Sequence, residues 1–513
     1  MSRTVRQLPR RPRSVLLTGT TGFVGQAVLE RFLRQEAFVH VLIRPRTGRT
    51  GTERLNELLA KEAFDGWRQE VGAAGVARAR ARLRVIEADL AHGLPALPAD
   101  LDLVVHSAST VSFDAPWDHS MRANVLGPQH LYEALHAAGA RPHVIHVSTA
   151  YVGTDRVALS TEEPVEHDVD WRGEVAASLA RRAMLDSEAG MLPVPATSGD
   201  TRMRELGRLR ANQLGWTDVY TMSKALGERV AEELWAGRGL PLTVLRPTII
   251  ESAVARPHPG WIDGFKVADP LIAAYAKDRL VAFPGRPEEV IDIVPVDVVV
   301  DAVMAADAVP HEDTAAHTPA GHARYFQVGT GVSNPITLDR FRAHVEDYLR
   351  AHPWTSRDGT PIRPRPWRFL PPGDIDSWAS RRSTVLTRTA DLLDLIPGLS
   401  KPTRRRIEPA IRKLTLLRNY VSIYQPYTCS RTTYDDTQTR RLLTRAAELG
   451  VEGALDVRRI DWHDYIRNVH MPSLTRAAER RRRKLTPVVV GDTVRMPARA
   501  AARARKTPIA GNA

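Results

Sequence analysis

The stretch Gly19-Thr20-Thr21-Gly22-Phe23-Val24-Gly25 stands between the apolar run SVLLT and the helix-forming QAVLERFLRQ. A strand that feeds a helix through three glycines at this spacing has few structural options. The glycines permit a tight turn and let the backbone approach a pyrophosphate, whose charge then meets the helix N-terminus. With 33 glycines in 513 residues, chance supplies roughly 0.13 such spacings. FVHVLIR (Phe38–Arg44), RLRVIEADL (Arg82–Leu90), LDLVVHSAS (Leu101–Ser109), HVIHVSTAYV (His143–Val152) and LTVLRPTII (Leu242–Ile250) then read as strands between helical stretches. That alternation predicts an α/β, Rossmann-type doubly wound parallel sheet.

The predicted organisation is a basic tail at 1–13 and a nucleotide-binding domain at 14–330. That domain carries a polar, helical insertion at 155–215 and, from Glu251 to about Thr330, a smaller substrate lobe containing VIDIVPVDVVVDAVMAA. A mainly helical C-terminal domain over 331–475 and a basic, disordered tail over 476–513 complete it. At 43% hydrophobic and 26% charged, the chain can bury a core and is not a bulk-disordered one. No apolar run reaches the ~18 residues of a membrane span, and the arginine-rich start lacks the apolar core of a secretory signal. Cys429 is the single cysteine, which excludes an internal disulfide and a cysteine-based zinc cluster. No metal is expected, and a reducing cytoplasm fits. The net charge of +13 sits in the two tails and leaves the body near neutral, against a nucleic-acid partner. Arg480-Arg481-Arg482-Arg483-Lys484 could adsorb peripherally to an anionic membrane, although a solvated tail is the commoner use of such a run.

Tyr220-Thr221-Met222-Ser223-Lys224 places a tyrosine and a lysine one helical turn apart on one face. A nearby ammonium favours tyrosinate, so the lysine is expected to lower the phenol's pKa toward neutrality. Ser148-Thr149 ends an intervening strand and offers a hydroxyl. Thr149, followed by Ala, aligns best, with Ser148 as the alternative. The second strand ends at Arg44 and Arg46, where an NAD enzyme places an acid on the ribose, so a 2′-phosphate and NADP are expected. Asp89 and Leu90 could contact adenine, and Ser107 and Ala108 would pass the nicotinamide-proximal ribose. Asn124 could hold a water linking the lysine to solvent. Cys429 reads as a small buried residue, which disfavours a cysteine acyl-enzyme.

The glycine turn, STAYV, GWTDVYTMSKALGE and RPTIIESAVARPHPGWIDGFKVADPLI together resemble the fatty acyl-CoA reductases, the male-sterility type of extended short-chain dehydrogenase/reductase. The likeness is specific over 14–330 and weaker through YFQVGTG and IDWHDYIRNVHMPSL. It implies NADPH-dependent reduction of a long-chain acyl-CoA to an aldehyde and on to a primary alcohol. Tyr220, Lys224 and the Thr149 or Ser148 hydroxyl would be the catalytic group. Gly19, Thr21, Gly22, Phe23, Val24, Gly25, Arg44, Arg46, Asp89, Leu90, Ser107, Ala108, Asn124, Tyr220 and Lys224 would bind the cofactor. Trp261 and Phe265, with Leu271 and Ile272, would touch the acyl chain, against the plainer reading that this stretch is core. The alternatives are a reductase of carrier-bound acyl thioesters that stops at the aldehyde, a sugar or sterol dehydrogenase, and an NADP-binding scaffold. Oligomeric state is not legible.

Overall fold

Seven strands form one fully parallel sheet: β1 (Ser14–Thr18), β2 (Phe38–Ile43), β3 (Leu83–Glu87), β4 (Leu103–His106), β5 (His143–Val147), β6 (Leu242–Pro247) and β7 (Ala323–Val328). Their order across the sheet is β7-β6-β5-β4-β1-β2-β3. Chain order reverses between β1 and β4, which opens a crevice at the carboxyl ends of those two strands. The computed structural model describes residues 13–485 except 36, 155–157, 192–196, 265–267, 281–282, 312–322, 357, 372–376, 378–379, 389–406, 408–413, 415–426 and 454; beyond 485 it describes only 488–490 and 493–495.

The alternation of side chains along each strand explains the layers. Val15 and Leu17 enter the core on one face while Leu16 enters the core on the other, and Leu103 and Val105 are split from Val104 in the same way. Helix α1 (Phe23–Arg34) and helix α4 (Val296–Ala308) cover the first face. Helix α2 (Gly127–Ala137) and helix α3 (Val219–Leu234) cover the second. The sequence reading grouped α4 with the substrate lobe; the structure packs it against α1 and the sheet. It also missed β7, which adds the seventh strand beside β6.

The insertion folds as helices Trp171–Met191 and Thr197–Gln213, joined by ion pairs such as Arg210–Glu174. Past residue 330, helices Leu338–Ala351 and Thr437–Glu448 contribute Phe341, Leu442 and Ala446 to the same core as α1 and α4. The Glu162 carboxylate accepts from the Thr439 backbone and hydroxyl at 3.0 and 2.6 Å, so the insertion segment caps a C-terminal helix. Burial pushes this carboxyl up to about 7 against those hydrogen bonds. Helix Met471–Leu485 runs into the basic segment, and the tail beyond 495 lies outside the described residues. Among the described residues no helix is long and apolar enough to cross a membrane.

One buried ion pair locks α3 to the sheet. Arg246 on β6 donates to Glu228 on α3 at 2.6 Å and to the Glu163 carbonyl at 2.6 Å, and its guanidinium lies 4.9 Å from the Tyr325 ring centre on β7. Removing one partner of such a pair leaves a desolvated charge. Glu228→Ala should therefore cost about 3–5 kcal/mol of stability, read by urea unfolding; a loss below ~1 kcal/mol would show that water reaches Arg246.

Candidate active site

Gly19 has φ +74°, and a Cβ there would fall 2.6 Å from the Ala108 amide nitrogen on the strand across the crevice. A Cβ on Gly25 would fall 2.2 Å from the Gly19 carbonyl oxygen. The Gly22 amide closes the turn on that same carbonyl at 2.8 Å. Only glycine lets the turn, the start of α1 and the end of β4 approach this closely. Thr18 completes the seam: its hydroxyl accepts from the Ala108 amide at 3.2 Å and its carbonyl accepts from the Ser107 hydroxyl at 2.8 Å. At its N-terminus α1 has Gly22 as cap, no side-chain cap and no acid in the first turn. A helix start with no side-chain cap and no acid suits an anion, the charge a dinucleotide pyrophosphate brings.

The other expected cofactor residues fall around this turn. Thr21 is exposed on it, Val24 packs on the core, and Phe23 packs at a tilt on Trp261, ring centres 4.9 Å apart. Asp89 accepts from the Ala91 amide at 3.1 Å at the end of β3, and Leu90 is buried beside it. Arg44 and Arg46 are exposed beyond β2. The sequence reading missed Arg54, whose guanidinium donates to the Arg44 carbonyl. Burial and then repulsion from Arg46 and Arg44 hold its pKa below the ordinary value, so three cations converge here.

Asp218 begins α3. Its carboxylate accepts from the Thr221 amide at 2.9 Å while the Thr221 hydroxyl sits against the Asp218 amide, a reciprocal cap. Tyr220 follows in the first turn, hydrogen-bonded to the Thr149 hydroxyl. Thr149 is therefore the hydroxyl beside the phenol. Ser148 is buried alongside, its hydroxyl without a hydrogen-bond partner among the described residues. One turn on, Lys224 is 3% exposed and donates to the Val147 carbonyl at 2.7 Å.

The electrostatics correct one expectation. The phenol of Tyr220 is pushed up to about 12 by burial, opposed only in part by the Thr149 hydrogen bond, and the lysine does not bring it toward neutrality. Burial in turn lowers Lys224 to about 8. Desolvation outweighs the charge of a lysine that faces a carbonyl. Asn124 also serves differently from expectation. It lies in a π-helical turn, Arg122–Leu126, and its amide group bonds the Thr110 backbone (2.8 and 3.1 Å) and the Ser223 hydroxyl (2.9 Å). Both its donors are thus engaged in holding the loop after β4 to α3, so neither is left for a water. Burial raises the Cys429 thiol to about 11, so it is a poor nucleophile.

A small apolar cavity lies beside this group, walled by Ile249, Leu271, Ile272, Phe341, Trp367 and Tyr427 among others. Leu271 and Ile272, expected from the sequence to touch an acyl chain, line this cavity. Trp261 instead braces Phe23 within the core, and Phe265 lies outside the described residues. An aromatic wall absent from the sequence reading separates cavity from phenol: Phe113 stands edge-on to Tyr220 at 5.4 Å, and Tyr427 packs on Phe113 at 4.7 Å and on Tyr151 at 4.9 Å. Farther off, buried Glu251, Asp269 and His470 each present a donor atom, all within 4.8 Å of one another, a spacing that could hold a cation. His470 Nδ1 is fixed by the Ser252 hydroxyl at 3.0 Å. The cysteine count that set aside a zinc cluster does not bear on this group.

The family described as male sterility protein matches residues 17–303. An alcohol-forming fatty acyl-CoA reductase of Simmondsia chinensis is 27% identical over 483 residues, covering 90% of this chain and 96% of that protein. A chloroplastic fatty acyl-CoA reductase 2 of Arabidopsis thaliana is 26% identical over 496 residues, covering 90% and 78%. The terminal R domain from the myxalamid PKS-NRPS biosynthetic pathway shares the fold, with a TM-score of 0.52 and 17% identity over 93% of this chain and 92% of that one.

The depressed lysine has a stability consequence. Between about pH 8 and the ordinary lysine value of 10.5, the unfolded chain holds a proton at Lys224 that the folded chain has released. Stability from this group thus rises with pH through that window, by at most ~1.4 kcal/mol per unit. Urea unfolding at pH 8 and 10 should show this increment in the wild type and lose it in Lys224→Met; equal pH slopes would mean the lysine titrates normally.

Proposed function

The chain belongs to the male-sterility-type fatty acyl-CoA reductase family, and on that footing we propose that it uses NADPH to reduce a long-chain fatty acyl-CoA to the aldehyde and on to the primary alcohol, releasing coenzyme A. The coarse reaction, nicotinamide-linked reduction of an acyl thioester, follows the family and the Rossmann fold. The observation that carries the finer reading is the Tyr220–Thr149 hydroxyl pair, which an apolar cavity approaches through Phe113 and Tyr427. Such a cavity suits an acyl chain better than a sugar.

Bound NADPH supplies the hydride. Gly19, Gly22, Gly25 and the N-terminus of α1 would hold its pyrophosphate, and Arg44, Arg46 and Arg54 its 2′-phosphate. Tyr220, with its pKa at about 12, stays protonated at neutral pH. That state suits the reductive direction, in which the carbonyl oxygen gains a proton. Thr149 offers that oxygen a second hydrogen bond as charge develops on it. Lys224 keeps a positive charge one turn below and holds the end of β5 through the Val147 carbonyl. Product released at an anionic bilayer would meet the cations of 480–484, each contributing about 1 kcal/mol at best; Arg480 is committed in part to Glu62, at 2.8 Å.

Purified protein with NADPH and palmitoyl-CoA should yield hexadecanol, identified by mass. Aldehyde alone would remove the second reduction, and neither product would overturn the proposal. Tyr220→Phe should still bind NADPH while turnover falls at least about 10²-fold. The arginine cluster should favour NADPH over NADH by about tenfold in kcat/KM, some 1.4 kcal/mol. Arg54→Ala should erode that ratio, and an unchanged ratio would remove Arg54 from the 2′-phosphate site.

A further inference from the structure

We propose that Tyr427 is the specificity-determining residue of this site, a fixed wall that sets how far an acyl chain runs into the apolar cavity while its carbonyl lies at Tyr220. The inference rests on the acyl-thioester reading above and adds the residue that reads chain length. Tyr427 is 8% exposed and lines the cavity. Its ring also packs on Phe113, which in turn stands against the catalytic phenol. Tyr427 thus borders both the cavity and the aromatic group that stands against the reacting phenol.

The ring is held in place. Its hydroxyl donates to Asp218 Oδ2 at 2.5 Å, while Asp218 Oδ1 caps α3 at the Thr221 amide. The hydroxyl is thereby directed to a carboxylate, so the phenol presents carbon to the cavity. Tyr151 supports the ring at 4.9 Å. Rigid apolar walls discriminate chain length because each methylene that finds no room, or no contact, changes transition-state binding by a fixed increment. The same tether ties the wall to the helix that carries Tyr220 and Lys224. Tyr427 therefore has two separable effects, one on chain length through the ring and one on turnover through the hydroxyl.

The test compares octanoyl-CoA with palmitoyl-CoA, in NADPH turnover and in calorimetric Kd, for the full chain and two variants. Tyr427→Ala removes the wall and should shift the palmitoyl-to-octanoyl ratio at least tenfold in both kcat/KM and Kd. Tyr427→Phe keeps the wall and drops the tether; it should hold that ratio within about threefold while kcat falls for both substrates. A merely structural role would lower Tm and leave the ratio unmoved. An unchanged ratio in a folded Tyr427→Ala overturns the inference. Should that variant fail to fold, Tyr427→Leu keeps an apolar side chain and carries the same ratio test. Wild-type protein that reduces neither thioester refutes the activity; the Kd ratio, which needs no turnover, still decides the role of Tyr427.

Discussion

The close approach of Gly19 to the Ser107–Ala108 backbone is the constraint on which the site depends. It brings the carboxyl ends of β1 and β4 together at the point where strand order reverses, and it fixes where α1 begins. A side chain at Gly19 or Gly25 would meet backbone atoms at 2.6 or 2.2 Å and force these elements apart. Thr18 then ties the two strand ends through hydroxyl and carbonyl. The crevice is therefore narrow because of backbone contact, and its polar lining consists largely of backbone amides. Such a lining suits a phosphate-bearing ligand and requires few charged side chains.

Opposite this seam, the chemistry of Tyr220 is governed by how dry its surroundings are. The aromatic wall and the C-terminal segment bury the phenol, and burial raises its pKa more than Thr149 lowers it. The same dryness pulls Lys224 down. The two groups thus move away from their ordinary values in the sense that favours the neutral forms of both. His106 and His146, tilted against each other with ring centres 5.2 Å apart, follow the rule: burial and then the lysine's charge keep them neutral. A protonated phenol held by a threonine hydroxyl is equipped to give a proton to a developing oxyanion, and poorly equipped to take one.

Much of this was legible from local pattern. The glycine spacing located the turn, and alternation such as Val15, Leu16, Leu17 located the strands. The four-residue spacing of Tyr220 and Lys224 located the helix that carries both. What escaped has a physical reason in each case. Strand β7 reads ARYFQV, and its Arg324 and Gln327 look like surface residues, yet both are buried. Arg324 is held by the Thr243 hydroxyl and the Ala306 carbonyl. Helix α4 is apolar on every side, so its periodicity could not say which layer it joins; its Asp297 carboxylate is buried because it accepts from the amides of Val254, Ala255 and Arg256. The pKa of Tyr220 was misjudged because spacing reports a neighbouring charge and says nothing of desolvation. The Asp218 cap was available in the sequence as a polar residue three before Thr221. Its partner Tyr427, 209 residues away, left no local sign.

That last pairing shows how the later part of the chain belongs to the site. Hydrogen bonds reach back from it, among them Thr439 to Glu162, His470 and Tyr465 to Ser252, and Tyr427 to Asp218. Ser252 lies shortly after β6, and Asp218 caps the helix that carries Tyr220 and Lys224. Residues beyond 330 also fill the same core as α1 and α4. A Rossmann sheet alone would leave Glu162 and Asp218 each with part of their hydrogen bonds, from the Gln327 and Thr221 amides, and the cavity without the wall that Phe341, Trp367 and Tyr427 supply. Burial of the phenol and shape of the cavity come from the same segment, so a change in how that segment packs alters acid strength and acyl-chain fit together.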